Sequence, residues 1–406
     1  MELKMLSLFS GIGAFEKALE NIGIKINLVN FCEIDKYATQ AYCAIHNIDK
    51  KLNLNDVTEI NIDSLPTEGI DIITHASPCQ DFSTAGLQAG GDIGTGTRSS
   101  LMWNSVAIIE HVKPKYVIWE NVKNVLSKKH KHNFEKYLNL LESFGYNNYY
   151  KVLNAKDYGI PQNRERIYVV SIRKDIDNKN FYFPEKEPLN LKLQDLLEKE
   201  VEEKFYLKDS QVERIRNSSF MQEKRRLQDK NFCDTILARD WKDPKCVRIG
   251  GLYDTDKKTH QIGSIYDKNH LSPALDTMGG GNRQPLIAEE KEVSYIERKY
   301  QEFFDKNGYI PEMFNPYNAS EVKDIAPTQT SNCGGSASSA TVYKKNSEFK
   351  IRKLTPKECW RLMGFSDQDF TKAQMTGLSN TQLYKQAGNS IVVPVLEEIF
   401  KNLFLK

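Results

Sequence analysis

The sequence predicts an α/β protein whose open sheet is largely parallel, together with a second, smaller domain. Short apolar segments alternate with segments of helical composition up to about residue 174, which is the pattern of a sheet covered by helices. Two of these segments lead into chemically informative residues, Cys79 and Glu120. From residue 175 to about residue 350 the alternation stops and the chain becomes polar and rich in turns, which indicates the second domain.

The composition is that of an ordinary soluble globular protein. Of the 406 residues, 40% are hydrophobic and 27% are charged, and the net charge of +2 neither requires nor excludes a nucleic-acid partner. No apolar run is long enough to span a membrane, and the amino terminus lacks the basic leader of a signal peptide. The seven scattered cysteines include no C-x-x-C pair, which argues against disulfides or zinc and favours a reduced, intracellular setting.

The first candidate site is a glycine turn between a predicted strand and a predicted helix. Residues 3–9 are apolar, Ser10-Gly11-Ile12-Gly13 follows them, and a helical segment then ends near Gly23. Glycines in such a turn let a ligand approach the backbone in front of a helix amino terminus, although tight turns without a ligand are also common. Glu16 stands where the dinucleotide pattern G-x-G-x-x-G has its third glycine, which favours a nucleoside without phosphates.

Acidic residues beyond the next predicted strand (residues 24–31) suit the sugar and base of a nucleoside. Glu33 lies about twenty residues after the glycine turn, where an acidic side chain meets a ribose hydroxyl pair in nucleotide-binding folds. The alternative for Glu33 is a carboxylate that stabilises a helix start. Asp35 is the N-cap candidate for a helix over residues 36–47. Asp56 would accept from an exocyclic amine such as that of adenine, or it is a turn residue.

Cys79 and Glu120 each follow a short buried strand, over residues 70–74 and 116–119 respectively. Because parallel strands end at the same edge of a sheet, two neighbouring strands would bring the thiol and the carboxyl group together. A glycine-rich stretch, residues 81–98, follows the thiol, so we predict a nucleophile beneath a mobile segment. The alternatives are a buried core cysteine and an exposed loop glutamate.

Basic and polar residues extend the candidate site. Arg164 and Arg166 precede a predicted strand and share one side of it, so at least one would point into the cleft towards a base carbonyl or a phosphate. Two solvated surface arginines are the alternative. The basic segment 123–136 is interpreted as a solvated face, with phosphate contact as the less favoured alternative. Near the carboxyl end, a helix capped by Thr355 is predicted, and Gly388-Asn389-Ser390 leads into a last helix.

Together these motifs resemble those of the DNA (cytosine-5)-methyltransferases. One such motif alone is weak evidence, but chance is a negligible explanation for eight motifs in the order that the family has. The matches are Phe9 to Gly13; Glu33; Asp56; Pro78-Cys79-Gln80; Glu120-Asn121-Val122; residues 162–166; residues 352–365; and Gly388-Asn389-Ser390. The resemblance implies a Rossmann-like methyltransferase sheet that uses S-adenosylmethionine, with a smaller target-recognition domain. The expected boundaries are residues 1–184 plus 384–406 for the catalytic domain and 185–383 for the target-recognition domain and hinge.

The resemblance also implies roles for single residues. Cys79 would be the nucleophile, Glu120 the partner of the base, and Arg166, with Arg164, its further anchor. The expected cofactor site, which needs no metal, comprises Phe9, Gly11, Gly13, Glu33, Ile34, Asp56, Val57, Pro78, Asn389 and Ser390. The expected DNA contacts are Gln80, Ser83, Arg98, Asn282, Arg283 and Gln284.

The implied activity is site-specific methylation of C5 of a cytosine flipped out of double-stranded DNA. We expect a monomeric bacterial or phage enzyme, cytoplasmic and associated with the nucleoid through DNA, with a restriction endonuclease that acts separately. One alternative is the branch of the family that methylates transfer RNA, which the long segment 175–350 disfavours. Another is a nicotinamide or flavin oxidoreductase, which Glu16 disfavours. The third is a non-catalytic DNA-binding protein, which Cys79, Glu120 and Arg166 disfavour.

Overall fold

The computed structural model describes residues 1–78, 90–206 and 349–406, and between the last two only residues 248–251, 264–267, 272–273, 286–290, 302–303, 305–307, 314–315 and 320–321. The catalytic part contains β1 (Glu2–Leu8), α1 (Ala14–Asn21), β2 (Lys25–Cys32), α2 (Lys36–His46), β3 (Ile72–His75), α3 (Met102–Val112), β4 (Tyr116–Val122), α4 (Lys131–Ser143), β5 (Tyr146–Asn154), β6 (Gln162–Asn163) and β7 (Glu165–Arg173).

The later elements are β8 (Arg248–Gly251), β9 (Ser264–Asp267), β10 (Ser272–Pro273), β11 (Leu286–Glu290), β12 (Phe314–Asn315), β13 (Ser320–Glu321), β14 (Phe349–Lys353), α5 (Pro356–Arg361), α6 (Asp367–Met375), α7 (Asn380–Asn389) and α8 (Val393–Phe404). None of the described helices is long and apolar enough to cross a bilayer.

The main sheet has six strands in the order β2-β1-β3-β4-β7-β5. The first four strands are parallel, and β7 is antiparallel to both of its neighbours. The chain leaves β1 towards β2 on one side, and β3 lies on the other side of β1. This arrangement is a switch point, where open α/β sheets bind ligands at the carboxyl ends of their strands. The carboxyl ends of β1, β3 and β4 and the amino end of β7 therefore share one edge.

Helices cover both faces of the sheet and form two apolar cores. Successive strand residues point to opposite faces, so Met5 and Ile72 belong to one core, whereas Leu6 and Ile73 belong to the other. The first core also contains apolar residues of α1 and of the four helices α5 to α8, and the second contains those of α3 and α4. The α/β architecture expected from the sequence is confirmed as a three-layer, Rossmann-like fold.

Two strands are longer than the sequence indicated, and both changes affect the site. β4 continues to Val122, so Glu120 lies inside the strand instead of after it. β7 begins at Glu165, so Arg166 also lies within a strand. The reason is that β4 and β7 pair side by side over this stretch, with Val122 opposite Arg166. The pairing fixes the backbone of both residues at the edge of the sheet.

A buried ion pair organises the return of the chain to the main sheet. The guanidinium of Arg352 donates to both carboxylate oxygens of Glu358 at 2.8 and 2.9 Å, and both side chains are fully buried. Glu358 also accepts from the backbone N–H groups of Thr355 and Glu198. Thr355 caps α5 as predicted, since its hydroxyl accepts from Glu358 N–H. Residues of α5 and α6 pack into the same core as α1.

The second domain is described only in part. Its sheet has the order β14-β11-β9-β8, and β14 carries Arg352 opposite Ile287 of β11. A separate contact joins it to the catalytic part, because β10 pairs with β6 next to Arg164. The expected glycine loop with Asn282, Arg283 and Gln284 lies outside the described residues. The boundaries at 184, 185, 383 and 384 stay a prediction.

Replacing Arg352 with Met should lower the free energy of unfolding, because Glu358 would be left buried without its cation. Removing one partner of such a pair costs about 3–5 kcal/mol. The matched control is Arg361→Met, whose partner Asp367 is half exposed, and a pair of that kind contributes about 0–1 kcal/mol. Urea unfolding of both variants gives the two losses. Equal losses would contradict the structural role of the buried pair.

Candidate functional site

The glycine turn after β1 has the backbone geometry that a close ligand requires. Gly11 and Gly13 have φ angles of +57° and +81°, and Phe9, which is not a glycine, has +53°. A non-glycine residue in this region is uncommon and is often found at functional sites. The ring of His46 lies against Gly13, and a Cβ added there would be 2.1 Å from its Nε2 atom. This position therefore has room only for glycine.

Glu33 joins the glycine turn to the start of α2. Its Oε2 accepts from Gly11 N–H at 2.9 Å and its Oε1 accepts from Asp35 N–H at 2.8 Å. Burial raises the pKa of Glu33, while the two N–H donors oppose that shift. Asn53 holds the backbone of Glu33 from both sides, because it accepts from Glu33 N–H and donates to its carbonyl. The carboxyl group predicted to meet a ribose is thus fixed beside the turn.

The neighbouring side chains suit an adenine ring. Ile34 is apolar but 71% exposed, and it follows Glu33 directly. Asp56 begins a short 3-10 helix and accepts from the N–H and hydroxyl groups of Thr58. Val57 is buried below it. The exposed aliphatic side chain of Ile34 provides a surface on which a base can pack, and the carboxyl groups of Glu33 and Asp56 are hydrogen-bond acceptors.

Glu16 lies elsewhere than the sequence interpretation assumed. Its side chain is buried and accepts from the hydroxyl of Tyr42 at 2.9 Å. Burial raises the pKa of Glu16. The carboxyl group is therefore part of the interior under α1, and repulsion of a bound pyrophosphate is the wrong reason to exclude a dinucleotide. The expectation of a ligand without phosphates then depends on Glu33 and Ile34.

Helix α7 brings the last motif to the same edge. Lys385 donates to the carboxylate of Asp35, and Gln386 donates to the carbonyl of Tyr37. At the end of the helix, Arg164 donates to the carbonyl groups of Gly388 and Ser390 at 3.1 and 2.7 Å. Asn389 and Ser390 are thereby placed between the start of α2 and the strand pair β4–β7. Burial raises the pKa of Asp35, but the hydrogen bonds from Lys385 and from the N–H groups of Tyr37 and Ala38 together lower it below its ordinary value.

Arg164 is held in a different environment from the one expected. Its side chain is only 4% exposed and its guanidinium contacts the carboxyl-terminal segment. These hydrogen bonds hold the backbone at Gly388 and Ser390, so Arg164 acts in the structure as a positioning residue. Its expected catalytic part stays a prediction.

The backbone just before the predicted nucleophile is fixed by three side chains. Asn121 donates to the Ser77 carbonyl at 3.1 Å, and Trp119 donates to the Ser77 hydroxyl at 3.2 Å. Ser99 donates to the Pro78 carbonyl at 2.9 Å. Cys79 is the next residue in the chain, and it lies outside the described residues together with Gln80 and Ser83.

Glu120 and Arg166 form a pair at the carboxyl edge of β4. The Nε atom of Arg166 lies 3.2 Å from Oε1 of Glu120, and Glu120 is 8% exposed. Burial raises the pKa of Glu120, against the opposing charges of Arg166 and Arg164. A carboxyl group with a raised pKa retains its proton closer to neutral pH and can donate it to a substrate atom.

Several residues of this site had not been identified from the sequence. Asn53 and Ser99 contact the predicted site residues Glu33 and Pro78 directly. The others hold the backbone or side chains of residues beside the predicted site: Ser77, Asn121, Lys385 and Gln386. Asn121 belongs to the Glu120-Asn121-Val122 motif, so its position in that motif was the signal that could have identified it.

Arg98, a predicted DNA contact, lies in a short 3-10 helix, Arg98–Leu101, next to Ser99.

Comparison with known proteins identifies the family. The profile of the C-5 cytosine-specific DNA methylases matches residues 3–405. This chain belongs to that family. It is 34% identical to the orphan methyltransferase M.SPBetaI of Bacillus phage SPbeta, over 99% of this chain and 97% of that protein. It is 36% identical to the type II methyltransferase M2.ScrFI of Lactococcus lactis subsp. cremoris, over 95% and 81% of the two chains.

Solved structures agree on the fold of this cytosine methylase. The Dnmt2 methyltransferase of S. pombe aligns with a TM-score of 0.58 at 18% identity, covering 99% of this chain and 98% of that one. The methyltransferase EhMeth of Entamoeba histolytica aligns with a TM-score of 0.60 at 15% identity, covering 100% and 99%. The protein is therefore a DNA (cytosine-5-)-methyltransferase with a Rossmann-like sheet.

The family uses S-adenosylmethionine as methyl donor. The crevice of this cytosine methylase fits such a molecule, since it offers the exposed Ile34 beside the hydrogen-bonded carboxyl group of Glu33. The glycine turn at Gly11 and Gly13 lies directly next to that carboxyl group. The residues that bind the donor in this chain are treated below as a proposal.

Replacing Gly13 with Ala should weaken binding of S-adenosylhomocysteine by about tenfold or more, because the new methyl group overlaps the His46 ring at a positive φ. The matched control is Gly23→Ala, which has φ of +80° but nothing within 4 Å of the added atom. Titration calorimetry measures both affinities. Wild-type affinity in Gly13→Ala, or an equal loss in the control, would contradict a ligand at this turn.

Proposed function

We propose that this enzyme methylates cytosine at C5 within a short target sequence of duplex DNA, through a bond between Cys79 Sγ and C6 of a flipped-out base. The observation that supports the proposal most directly is the pair formed by buried Glu120 and half-buried Arg166. β3 and β4 are parallel neighbours, with His75 opposite Trp119, so the residues after β3 and the end of β4 share one edge. Pro78, which lies after β3, is the residue before Cys79 in the sequence.

The reaction needs a nucleophile because C5 of cytosine is unreactive by itself. The thiolate of Cys79 forms a bond to C6, and the electron pair of the C5–C6 double bond moves into the ring. A nearby cation such as Arg166 favours the thiolate. Glu120 gives its proton to N3 and accepts a hydrogen bond from the exocyclic amine, which neutralises the charge developing on the ring.

The second half of the reaction returns the enzyme to its starting state. S-Adenosylmethionine, when bound, supplies an electrophilic methyl group on its sulfonium sulfur. C5 takes that methyl group as the sulfur–methyl bond breaks, which leaves S-adenosylhomocysteine, and the C5 proton then leaves to water. The Cys79 Sγ–C6 bond breaks as the C5–C6 double bond re-forms, and Glu120 regains its proton from N3. The bonds and charges of these steps balance without a metal ion or a redox partner.

The proposed donor site includes the expected residues at the crevice. Glu33 would accept from the ribose hydroxyls, Asp56 from the adenine amine, and Phe9 would pack against the base. The remaining members are Gly11, Gly13, Ile34, Val57, Pro78, Asn389 and Ser390. Supporting features are the exposed apolar side chain of Ile34 and the placement of Asn389 and Ser390 by Arg164.

Duplex DNA is the proposed substrate because a cytosine inside a stack is out of reach of Cys79. Flipping the base costs a few kcal/mol, which contacts elsewhere on the duplex must offset. The predicted DNA contacts of Gln80, Ser83, Arg98 and the loop Asn282-Arg283-Gln284 belong to this proposal. So do a monomeric enzyme and a separate endonuclease. The relatives include both orphan and type II methyltransferases by name.

Methyl transfer from labelled S-adenosylmethionine to unmethylated bacterial DNA, followed by bisulfite sequencing, tests the activity. We expect protected cytosines in one short motif. Cys79→Ala should abolish transfer, because no thiolate remains to activate C5, while binding of S-adenosylhomocysteine is retained. Full activity of that variant contradicts the covalent mechanism. Transfer to RNA but not DNA would assign the enzyme to the branch that methylates transfer RNA.

The rate of a single turnover should fall as pH rises through the raised pKa of Glu120, because the protonated carboxyl group is then lost. Glu120→Gln should lower that rate by about 10²–10⁴ and remove this alkaline fall. The matched control is Glu165→Gln, since Glu165 is exposed and pairs with Lys123, the residue that follows β4. Rapid-quench measurement between acidic and alkaline buffers separates the variants. An unchanged alkaline fall in Glu120→Gln would refute the assignment.

A further inference from the structure

The segment that follows β4 and continues into the first turns of α4 is strongly basic. Residues 123–136 contain five lysines and one glutamate, whereas the whole chain has 56 basic and 54 acidic residues. The segment begins directly after Val122, two residues beyond Glu120. Its position at the carboxyl edge of β4 is therefore fixed by the sheet.

The five lysines of this segment differ in their partners. Lys123 pairs with Glu165 at 3.0 Å and Lys131 pairs with Glu135 at 2.9 Å. Lys136 lies over the ring of Trp103. Lys128 and Lys129 are exposed, and within the described residues their ammonium groups have no ion pair or hydrogen bond. These two cations remain available to an anionic ligand.

The same segment contacts the chain that follows the predicted nucleophile. Asp92 Oδ1 lies 2.6 Å from His132 Nε2, and Gly90 approaches the ring of buried His130. Trp103 donates to the carbonyl of Gly91 at 2.7 Å. Residues 90–92 thus lie on the basic segment, and Lys128 and Lys129 are in the turn just before His130. A duplex that presents a base at the Glu120 edge would come close to these lysines.

We infer that Lys128 and Lys129 form a surface that binds phosphates of the DNA duplex beside the flipped base. The inference depends on the proposed function, because it assumes that duplex DNA reaches the Glu120 edge. A lysine ammonium is a point charge on a flexible stem, which suits phosphate contacts that are independent of sequence. This surface supplies affinity and position, and target reading stays with the second domain.

Salt dependence of duplex binding tests this inference with a readout that folding defects do not imitate. Each phosphate contact contributes about 0.9 to the slope of log K against log salt. The variant Lys128→Gln/Lys129→Gln should therefore lower the slope by about 0.9 for each lysine removed. Binding of a labelled duplex is measured by anisotropy from about 50 to 200 mM salt, with S-adenosylhomocysteine present.

The matched control removes two exposed lysines from the opposite edge of the sheet, Lys25→Gln/Lys113→Gln. Lys25 begins β2 and Lys113 follows α3, before β4. We expect the control to keep the wild-type slope. An unchanged slope in Lys128→Gln/Lys129→Gln, or an equal drop in the control, overturns the inference. A drop seen with a structured RNA and absent with the duplex also overturns it.

The same experiment separates this inference from the proposed function. If the wild-type enzyme methylates and binds the duplex while the slope is insensitive to Lys128 and Lys129, only the surface is wrong. If the wild-type enzyme neither binds nor methylates duplex DNA, the proposed function itself has failed, and the inference fails with it.

Discussion

The buried guanidinium of Arg164 is the contact on which the geometry of the site depends. A buried charge is costly unless hydrogen bonds replace its water, and here the carbonyl groups of Gly388 and Ser390 accept those bonds. The partners come from a segment more than two hundred residues later in the chain. The strand edge that carries Arg166 is therefore completed when the carboxyl-terminal helices return to the sheet, and the hydrogen bonds of Arg164 couple that edge to the last motif.

Two buried carboxyl groups at the same edge are prepared for different tasks. Burial raises the pKa of both Glu33 and Glu120. Glu33 faces the backbone N–H groups of Gly11 and Asp35, which favour its charged form and suit an acceptor of hydroxyl hydrogen bonds. Glu120 faces Arg166 instead and has no such pair of backbone donors among the described residues. The difference in neighbours suits Glu33 to its proposed role as a binding carboxylate and Glu120 to its proposed role as a proton donor, although the residue type is the same.

The fold could be predicted from the sequence, and a candidate site could be assembled from it, because their signals are local. Apolar runs predict strands, and Asp35 and Thr355 predict the starts of helices. Glu33 has the spacing from the glycine turn that is typical of an acidic residue contacting a ribose. The errors involve partners distant in sequence. The extension of β4 over Glu120 follows from pairing with β7, and the inward direction of Glu16 follows from Tyr42. Likewise Lys385 meets Asp35 only after the chain has returned, so periodicity and spacing contain no sign of the contact.

The contacts around Pro78 explain how a reactive cysteine can follow a strand without losing its position. A thiolate that attacks C6 must be held in line with the ring, and small displacements cost much of the rate. The two carbonyl groups that precede Cys79 are held by Asn121 from β4 and by Ser99 from beyond the glycine-rich stretch. The Glu120-Asn121-Val122 motif thus has two parts. Glu120, the proposed partner of the base, pairs with Arg166, and its neighbour Asn121 holds the Ser77 carbonyl two residues before the proposed nucleophile. Both side chains extend from β4.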